Sequence, residues 1–152
     1  MENIEILSIG IGLVISLVFS EMLGLTAGGL VVPGYIALYL DRPLVIALTC
    51  LISYLTYFIV HALSAVMIVY GRRRTVLMIL MGFAMGALLR SFGSIELPMA
   101  TVDLTVIGYI IPGLIAIWID RQGVVESFST LIIASVIVRL LLIVITGGEI
   151  KI

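Results

Sequence analysis

The chain consists of apolar runs, several of them about as long as a membrane is thick, joined by very short polar stretches. Six such segments can be delimited, at about residues 4–23, 25–40, 44–70, 75–93, 104–119 and 124–146. A helix that crosses the hydrocarbon core of a bilayer needs roughly 20 predominantly apolar residues. The pattern therefore predicts an integral membrane protein of the all-α class with almost no soluble portion.

Composition favours the same fold class and excludes others. Hydrophobic residues make up 62% of the 152 residues and charged residues 11%, whereas soluble domains have about 45–50% and about 25%. A chain this short cannot bury so much apolar surface in a core of its own. We therefore expect a single membrane domain over residues 1–152. The net charge of −1 gives no electrostatic basis for binding nucleic acid.

The second and fifth segments share a pattern at a separation of 79 residues, as from Gly29 to Gly108. The identical pairs at this separation are Gly29 and Gly108, Pro33 and Pro112, Gly34 and Gly113, Ile36 and Ile115, Ala37 and Ala116, Asp41 and Asp120, and Arg42 and Arg121. Repeated segments interrupted by Gly and Pro are typical of transporters with a binding site at the midplane. We interpret the chain as two related halves, about 1–72 and 73–152, each with three segments and a middle segment broken at Pro-Gly.

The number of membrane crossings has two solutions. If all six segments cross, the halves are inverted and both termini lie outside; if segments two and five are re-entrant, the halves are parallel and both termini lie inside. The bias of Lys and Arg towards the cytoplasm places Arg72–Arg74 there in both cases. Six crossings are favoured, because about 16 residues can just cross a locally thinned bilayer.

A stripe of small residues, spaced four apart, runs along the first segment. Its members are Ser8, Gly12, Ser16, Ser20, Gly24 and Gly28. Small side chains let two helices approach closely. The stripe predicts a close contact, either inside the protein or with another subunit.

Charged and titratable residues inside the apolar runs are candidates for function, since polar groups at membrane depth are costly and often functional. These intramembrane candidates are Glu21, His61, Arg90, Glu126 and Arg139. Each has a structural alternative. The three residues near segment ends can sit at the interface, Arg139 can reach the interface through its long side chain, and His61 can be a hydrogen-bonded packing residue.

Two related places are predicted to handle anions, because the N-terminus of a helix attracts negative charge. The residues of this predicted anion pathway are Pro33, Gly34, Asp41, Arg42, Pro112, Gly113, Asp120 and Arg121. Each Asp is expected to orient the Arg that follows it. Arg72, Arg73 and Arg74 are candidates for docking a partner, with a pure topology signal as the alternative.

Motifs for catalysis are missing from the sequence. It has no phosphate-binding loop of the Gly-x-x-x-x-Gly-Lys type, and one Cys and one His cannot form a zinc cluster. We therefore assign no catalytic residue, metal ligand or cofactor to this chain. Chemistry that requires ATP must come from a partner.

Three stretches resemble a known family. They are Ala27–Tyr35 (AGGLVVPGY), Tyr70–Arg74 (YGRRR), and Ile111–Ala116 (IPGLIA) with Gln122-Gly123 after it. By these stretches the chain resembles the PgsC/CapC family, the membrane subunit of bacterial poly-gamma-glutamate synthase. The resemblance covers nearly the whole chain.

The resemblance implies a role in poly-gamma-glutamate capsule biosynthesis in a bacterial or archaeal cell membrane. It also implies a Mur-ligase-like amide ligase as partner, which would bind ATP and Mg, and an accessory export subunit. The chain would anchor or activate the ligase, pass the anionic polymer outward, or both. A homo-oligomer stays open as a further association. Two alternatives from the residues themselves are a stand-alone secondary transporter of a small anion and a purely structural membrane anchor.

Overall fold

A computed structural model of the protein describes residues 2–66, 71–91, 95–97, 100–102 and 110–147. This part of the chain forms six helices and one antiparallel hairpin. The elements are α1 (Glu2–Leu23), α2 (Val32–Leu38), α3 (Pro43–Val66), α4 (Arg72–Ser91), β1 (Ile95–Leu97), β2 (Ala100–Val102), α5 (Ile111–Gln122) and α6 (Val124–Thr146). The predicted helical fold class is confirmed, with the short hairpin between α4 and α5 as an addition that the sequence did not indicate.

Among the residues that the structure describes, three helices are long and apolar enough to cross a membrane by length and composition. They are Ile4–Leu23, Pro43–Val66 and Val124–Thr146, with mean hydropathies of 2.2, 2.1 and 2.7. Helix α4 has a similar length of 20 residues but begins with three arginines. Large apolar side chains are exposed along these helices; Val14 on α1, for example, is 62% exposed. Soluble monomers rarely expose such a surface, whereas lipid covers it without cost.

The two short helices begin at the Pro-Gly pairs. Helix α2 has 7 residues and α5 has 12, which at ~1.5 Å per residue gives about 10 and 18 Å, less than the ~30 Å of a hydrocarbon core. Pro33 and Pro112 lie in the first turn, where the missing N–H leaves no hydrogen bond unmade. Residues 24–31 before α2 are not helical, and Gly28 and Gly29 there have positive φ. The Pro-Gly pair thus starts each helix and does not interrupt a longer one.

Each short helix packs against the preceding long helix through a glycine. A Cβ built on Gly34 of α2 would lie 2.8 Å from the carbonyl oxygen of Ser8 on α1. A Cβ built on Gly113 of α5 would lie 2.8 Å from the carbonyl oxygen of Met78 on α4. Backbone therefore touches backbone at both places, and only glycine fits.

The small residues of α1 line this contact inside the protein. The Ser8 hydroxyl donates to the Gly34 carbonyl at 2.7 Å, and the Ser16 hydroxyl donates to the Gly29 carbonyl at 3.5 Å. Gly12 lies directly against Gly34. For these members of the stripe, the internal interpretation is therefore the correct one.

Three pairs of helix contacts recur when the first three helices are exchanged for the last three, whereas the contact of α5 with α6 has no comparable counterpart between α2 and α3. Helix α1 packs on α2 as α4 packs on α5, α6 packs on α2 as α3 packs on α5, and α1 contacts α6 as α4 contacts α3. Residues 26–36 run opposite to α5, because Thr26 meets Gln122 and Gly28 lies near Ile115. A buried apolar cluster that includes Val32, Ile36, Ile111 and Ile115 lies where α2 and α5 meet.

Candidate functional site at the arginine-rich end

Parts of the three stretches that carry the family resemblance lie at one end of the helix bundle, namely Gly29, Arg72–Arg74 and Gln122. At this end, called here the arginine-rich end, α1, α3 and α5 finish while α4 and α6 begin. Polar contacts link the chain after α1 to the end of α5, and link the end of α5 to the start of α4. Residues far apart in the sequence thereby form one polar region.

The glycine-rich stretch after α1 is tied to the end of α5 by one amide side chain. The Thr26 backbone N–H donates to Oε1 of Gln122 at 3.1 Å, and Nε2 of Gln122 donates to the Thr26 carbonyl oxygen at 2.6 Å. The Thr26 hydroxyl adds a third contact to Oε1 at 3.3 Å. Since this backbone is not helical, the side chain supplies partners that a helix would have provided.

An arginine at the end of α5 stacks on the only tryptophan of the sequence. The guanidinium carbon of Arg121 lies 5.3 Å from the ring centroid of Trp118, within the range of a cation–π interaction. The indole Nε1 lies beside Gly29, where an added Cβ would be 3.4 Å from it. Gly29, with φ of +118°, thus leaves room for the ring that supports Arg121.

A second arginine links three helices. Arg74 at the start of α4 forms an ion pair with Asp120 of α5, and both side chains are 23% exposed. The same guanidinium nitrogen lies 3.3 Å from Nδ1 of His61 on α3. Because arginine can only donate, Nδ1 of His61 accepts in this arrangement. His61 also lies near Tyr57, with 5.7 Å between the ring centroids.

Arg74, Asp120 and Arg121 belong to the lining of a basic cleft of about 320 Å³. It is lined by Gly71, Arg72, Arg74, Thr75, Met78, Ile117, Asp120 and Arg121. Three arginines against one aspartate give the lining a net formal charge of +2, and the start of α4 adds the positive end of its helix dipole. Residues predicted for two separate roles, anion handling and partner docking, therefore share one cleft.

The opposite end of the bundle is built differently. Arg139 of α6 is 14% exposed and forms an ion pair with Asp41 at 2.5 Å, where Asp41 is 61% exposed. Arg139 also donates to the carbonyl oxygen of Ala37 at 3.2 Å, near the end of α2. Arg42 is exposed at this end. The deep position of Arg139 is thus explained by a link between α6 and the end of α2.

We predicted that each aspartate orients the arginine that follows it, and the structure does not show these contacts. Asp41 and Asp120 pair instead with Arg139 and Arg74, which come from other helices. Asp120 and Arg121 are successive residues of α5, and such side chains point in different directions along a helix. Arg121 is left to contact Trp118.

The Pro-Gly residues of the predicted anion pathway are buried in helix contacts. Pro33, Gly34, Pro112 and Gly113 are all buried, and both glycines touch the backbone of a long helix. In this arrangement neither helix start has space for an anion. Of the predicted pathway, Asp120 and Arg121 lie at a cleft, while the Asp41 and Arg42 pair lies at the far end.

The remaining candidates do not join the cleft lining. Glu21, Arg73 and Glu126 are exposed. The side chain of Arg90 lies outside the described residues. Searching the described residues for groups of His, Cys, Asp and Glu that could hold a metal ion finds none.

Two contributors were missed from the sequence. Trp118 stands three residues before Arg121, a spacing that puts both on one face of a helix, so its role could have been inferred once α5 was placed. The contact of Thr26 with Gln122 could not be inferred from the sequence, because the two residues lie 96 positions apart and only the fold brings them together.

The fold and the cleft define a small helical protein of membrane type with a basic, arginine-lined end. A family model described as Capsule biosynthesis CapC matches residues 11–128, and the chain belongs to this family. It is 39% identical over 126 residues to the PGA biosynthesis protein CapC of Bacillus subtilis (strain 168). The aligned residues cover 82% of this chain and 84% of the relative. The capsule biosynthesis protein CapC of Bacillus anthracis matches with the same identity and coverage. No solved structure matches.

The matched range contains every residue of the basic cleft, from Gly71 to Arg121. Both relatives are bacterial, so the archaeal alternative receives no support from them. The suspected family is confirmed.

Proposed function

We propose that the chain is a membrane-embedded component of poly-gamma-glutamate capsule synthesis that acts together with a separate ATP-dependent amide ligase. The observation that carries this proposal is its family membership, since both relatives are named for PGA or capsule biosynthesis. The three long apolar helices support a place in the cell membrane as a multi-pass protein. ATP and Mg would be bound by the ligase.

Deletion and re-supply of the gene in its own host test this function. Cell-associated poly-gamma-glutamate should disappear on deletion and return with the wild-type gene, as measured by hydrolysis of the capsule fraction and glutamate quantification. A deletion strain that makes and exports normal amounts would refute the proposal.

The arginine-rich end is the proposed cytoplasmic face, where the ligase would dock. Arg72, Arg73 and Arg74 begin α4 at this end, and a cluster of arginines beside a membrane helix favours the cytoplasm. Replacing all three by Gln should release the ligase from the membrane fraction, whereas Arg42→Gln at the opposite end should leave it bound. If the ligase sediments with membranes equally in both variants, the arginines are a topology signal only.

Two related halves in inverted orientation are the proposed architecture. The three pairs of helix contacts that recur when the two halves are exchanged support it, as does the opposite direction of residues 26–36 and α5. The chain would then cross the membrane six times, and residues 24–31 would form part of one crossing in a non-helical conformation. A reporter fused to the C-terminus should be external; a cytoplasmic reporter would refute the inverted arrangement.

A stand-alone secondary transporter of a small anion is the second candidate. The helix contacts that recur between the two halves favour it, as do the short central helices, because many transporters are built from two related halves with interrupted central helices. Purified protein in liposomes that takes up glutamate without a partner would support transport. Liposomes that remain impermeable leave the capsule function as the proposal.

A further inference from the structure

Two arginines of the basic cleft keep their charge available for a ligand. Arg74 is neutralised by Asp120, which leaves Arg72 and Arg121. Neither of these has an acidic partner within the part of the chain that the structure describes. They come from different helices, α4 and α5, so the cleft presents two separate positive charges.

The size of the cleft limits what it can hold. At about 320 Å³ it is at the small end of the ~300–1,000 Å³ range of small-molecule sites. It is too small for a folded domain and suits a short stretch of an extended chain. Apolar Met78 and Ile117 form part of its wall, which suits the methylene groups of such a chain.

The arrangement of charge favours carboxylates. Arginine forms strong paired hydrogen bonds with carboxylate and with phosphate. The two guanidinium groups left without an acidic partner come from different helices and match two singly charged groups carried by one chain.

We propose that the basic cleft binds neighbouring α-carboxylates of a γ-glutamyl chain, with Arg72 and Arg121 as the binding residues. The cleft is thus a subsite for the growing polymer at the face where it is made, and this inference rests on the proposed function. Asp120 and Arg74 are positioning residues, because their ion pair joins α5 to α4, the two helices that carry Arg121 and Arg72. Trp118 holds the Arg121 guanidinium in place.

The test is a binding titration of short oligo-γ-glutamate to the full-length protein in nanodiscs of zwitterionic lipid. Arg121→Gln and Arg72→Gln should each raise the dissociation constant about tenfold, as expected for loss of one charged hydrogen-bonding partner. Arg121→Lys keeps the charge but not the paired hydrogen bonds, so its dissociation constant should lie between those of the wild type and Arg121→Gln. Arg42→Gln is the matched control, since Arg42 is the counterpart of Arg121 at the other end, and should bind as wild type.

Three results would overturn the assignment. They are unchanged affinity in both cleft variants, an equal loss in Arg42→Gln, and displacement of the oligomer by nanodiscs that contain phosphatidylglycerol, which would make the cleft a lipid headgroup site. Thermal melting of each variant verifies that it is folded. If deletion abolishes the capsule while the cleft variants bind normally, the proposed function stands and the subsite fails. If binding depends on the cleft but deletion spares the capsule, the reverse holds.

Discussion

Replacement of Gly12 by Ala tests the backbone contact between α1 and α2. The added Cβ would lie 2.8 Å from both N and Cα of Gly34, whereas carbon contacts are optimal at about 3.5–4.0 Å. The two helices must therefore separate by roughly 0.7–1.2 Å, and a gap of about 0.5–1 Å already forfeits about a quarter to a half of each contact's attraction. Overpacking of this kind costs about 1–3 kcal/mol, and the better helix propensity of Ala returns only about 0.8–1 kcal/mol.

Gly10→Ala is the matched control on the same helix. Nothing lies within 4 Å of a Cβ at Gly10, so this variant gains the helix propensity without the clash. The free energies of unfolding of the two variants should differ by about 1–3 kcal/mol in favour of Gly10→Ala. Thermal melting followed by circular dichroism in nanodiscs measures this difference. A Gly12→Ala protein as stable as Gly10→Ala would refute the close contact.

The links at the two ends of the bundle give further predictions. Arg139→Met leaves the Ala37 carbonyl without its donor and should cost about 1–3 kcal/mol of stability. Asp41→Asn changes an exposed side chain and should cost less than ~1 kcal/mol. Equal losses of stability in thermal melting would contradict this difference. Gln122→Glu removes the N–H that binds the Thr26 carbonyl, so it should lower the melting temperature, while Thr26→Ala, which loses only the hydroxyl contact, should melt close to wild type.

The long helices could be predicted from the sequence because their apolar runs match the thickness of a membrane. The starts of α2 and α5 were also predictable, since Pro33 and Pro112 fit the first turn of a helix. The hairpin was not, because strands of three residues leave almost no periodicity to detect. The internal contact of the α1 stripe could be formulated only as one of two alternatives, since spacing shows which residues share a face but not what covers it.

The basic cleft was only partly predictable. Arg74 and Asp120 were both candidates, but for different roles, and their pairing across 46 positions depends on the packing of α4 against α5. The pairing of Arg139 with Asp41 spans 98 positions and has the same cause. The sequence pairs Asp41-Arg42 and Asp120-Arg121 suggested that neighbouring residues interact. In the folded protein each aspartate instead pairs with an arginine from another helix.

The two glycine contacts also reveal a difference in length between the halves. Gly12 meets Gly34 across 22 positions, while Gly82 meets Gly113 across 31, so the second half has nine more residues between its two contact glycines. The hairpin formed by β1 and β2 lies in that stretch. Since the helix packing is preserved on both sides of the extra residues, the stretch that contains this hairpin is the natural place for an epitope tag or a fluorophore. A label there would report on the assembled protein while leaving both glycine contacts and the cleft untouched.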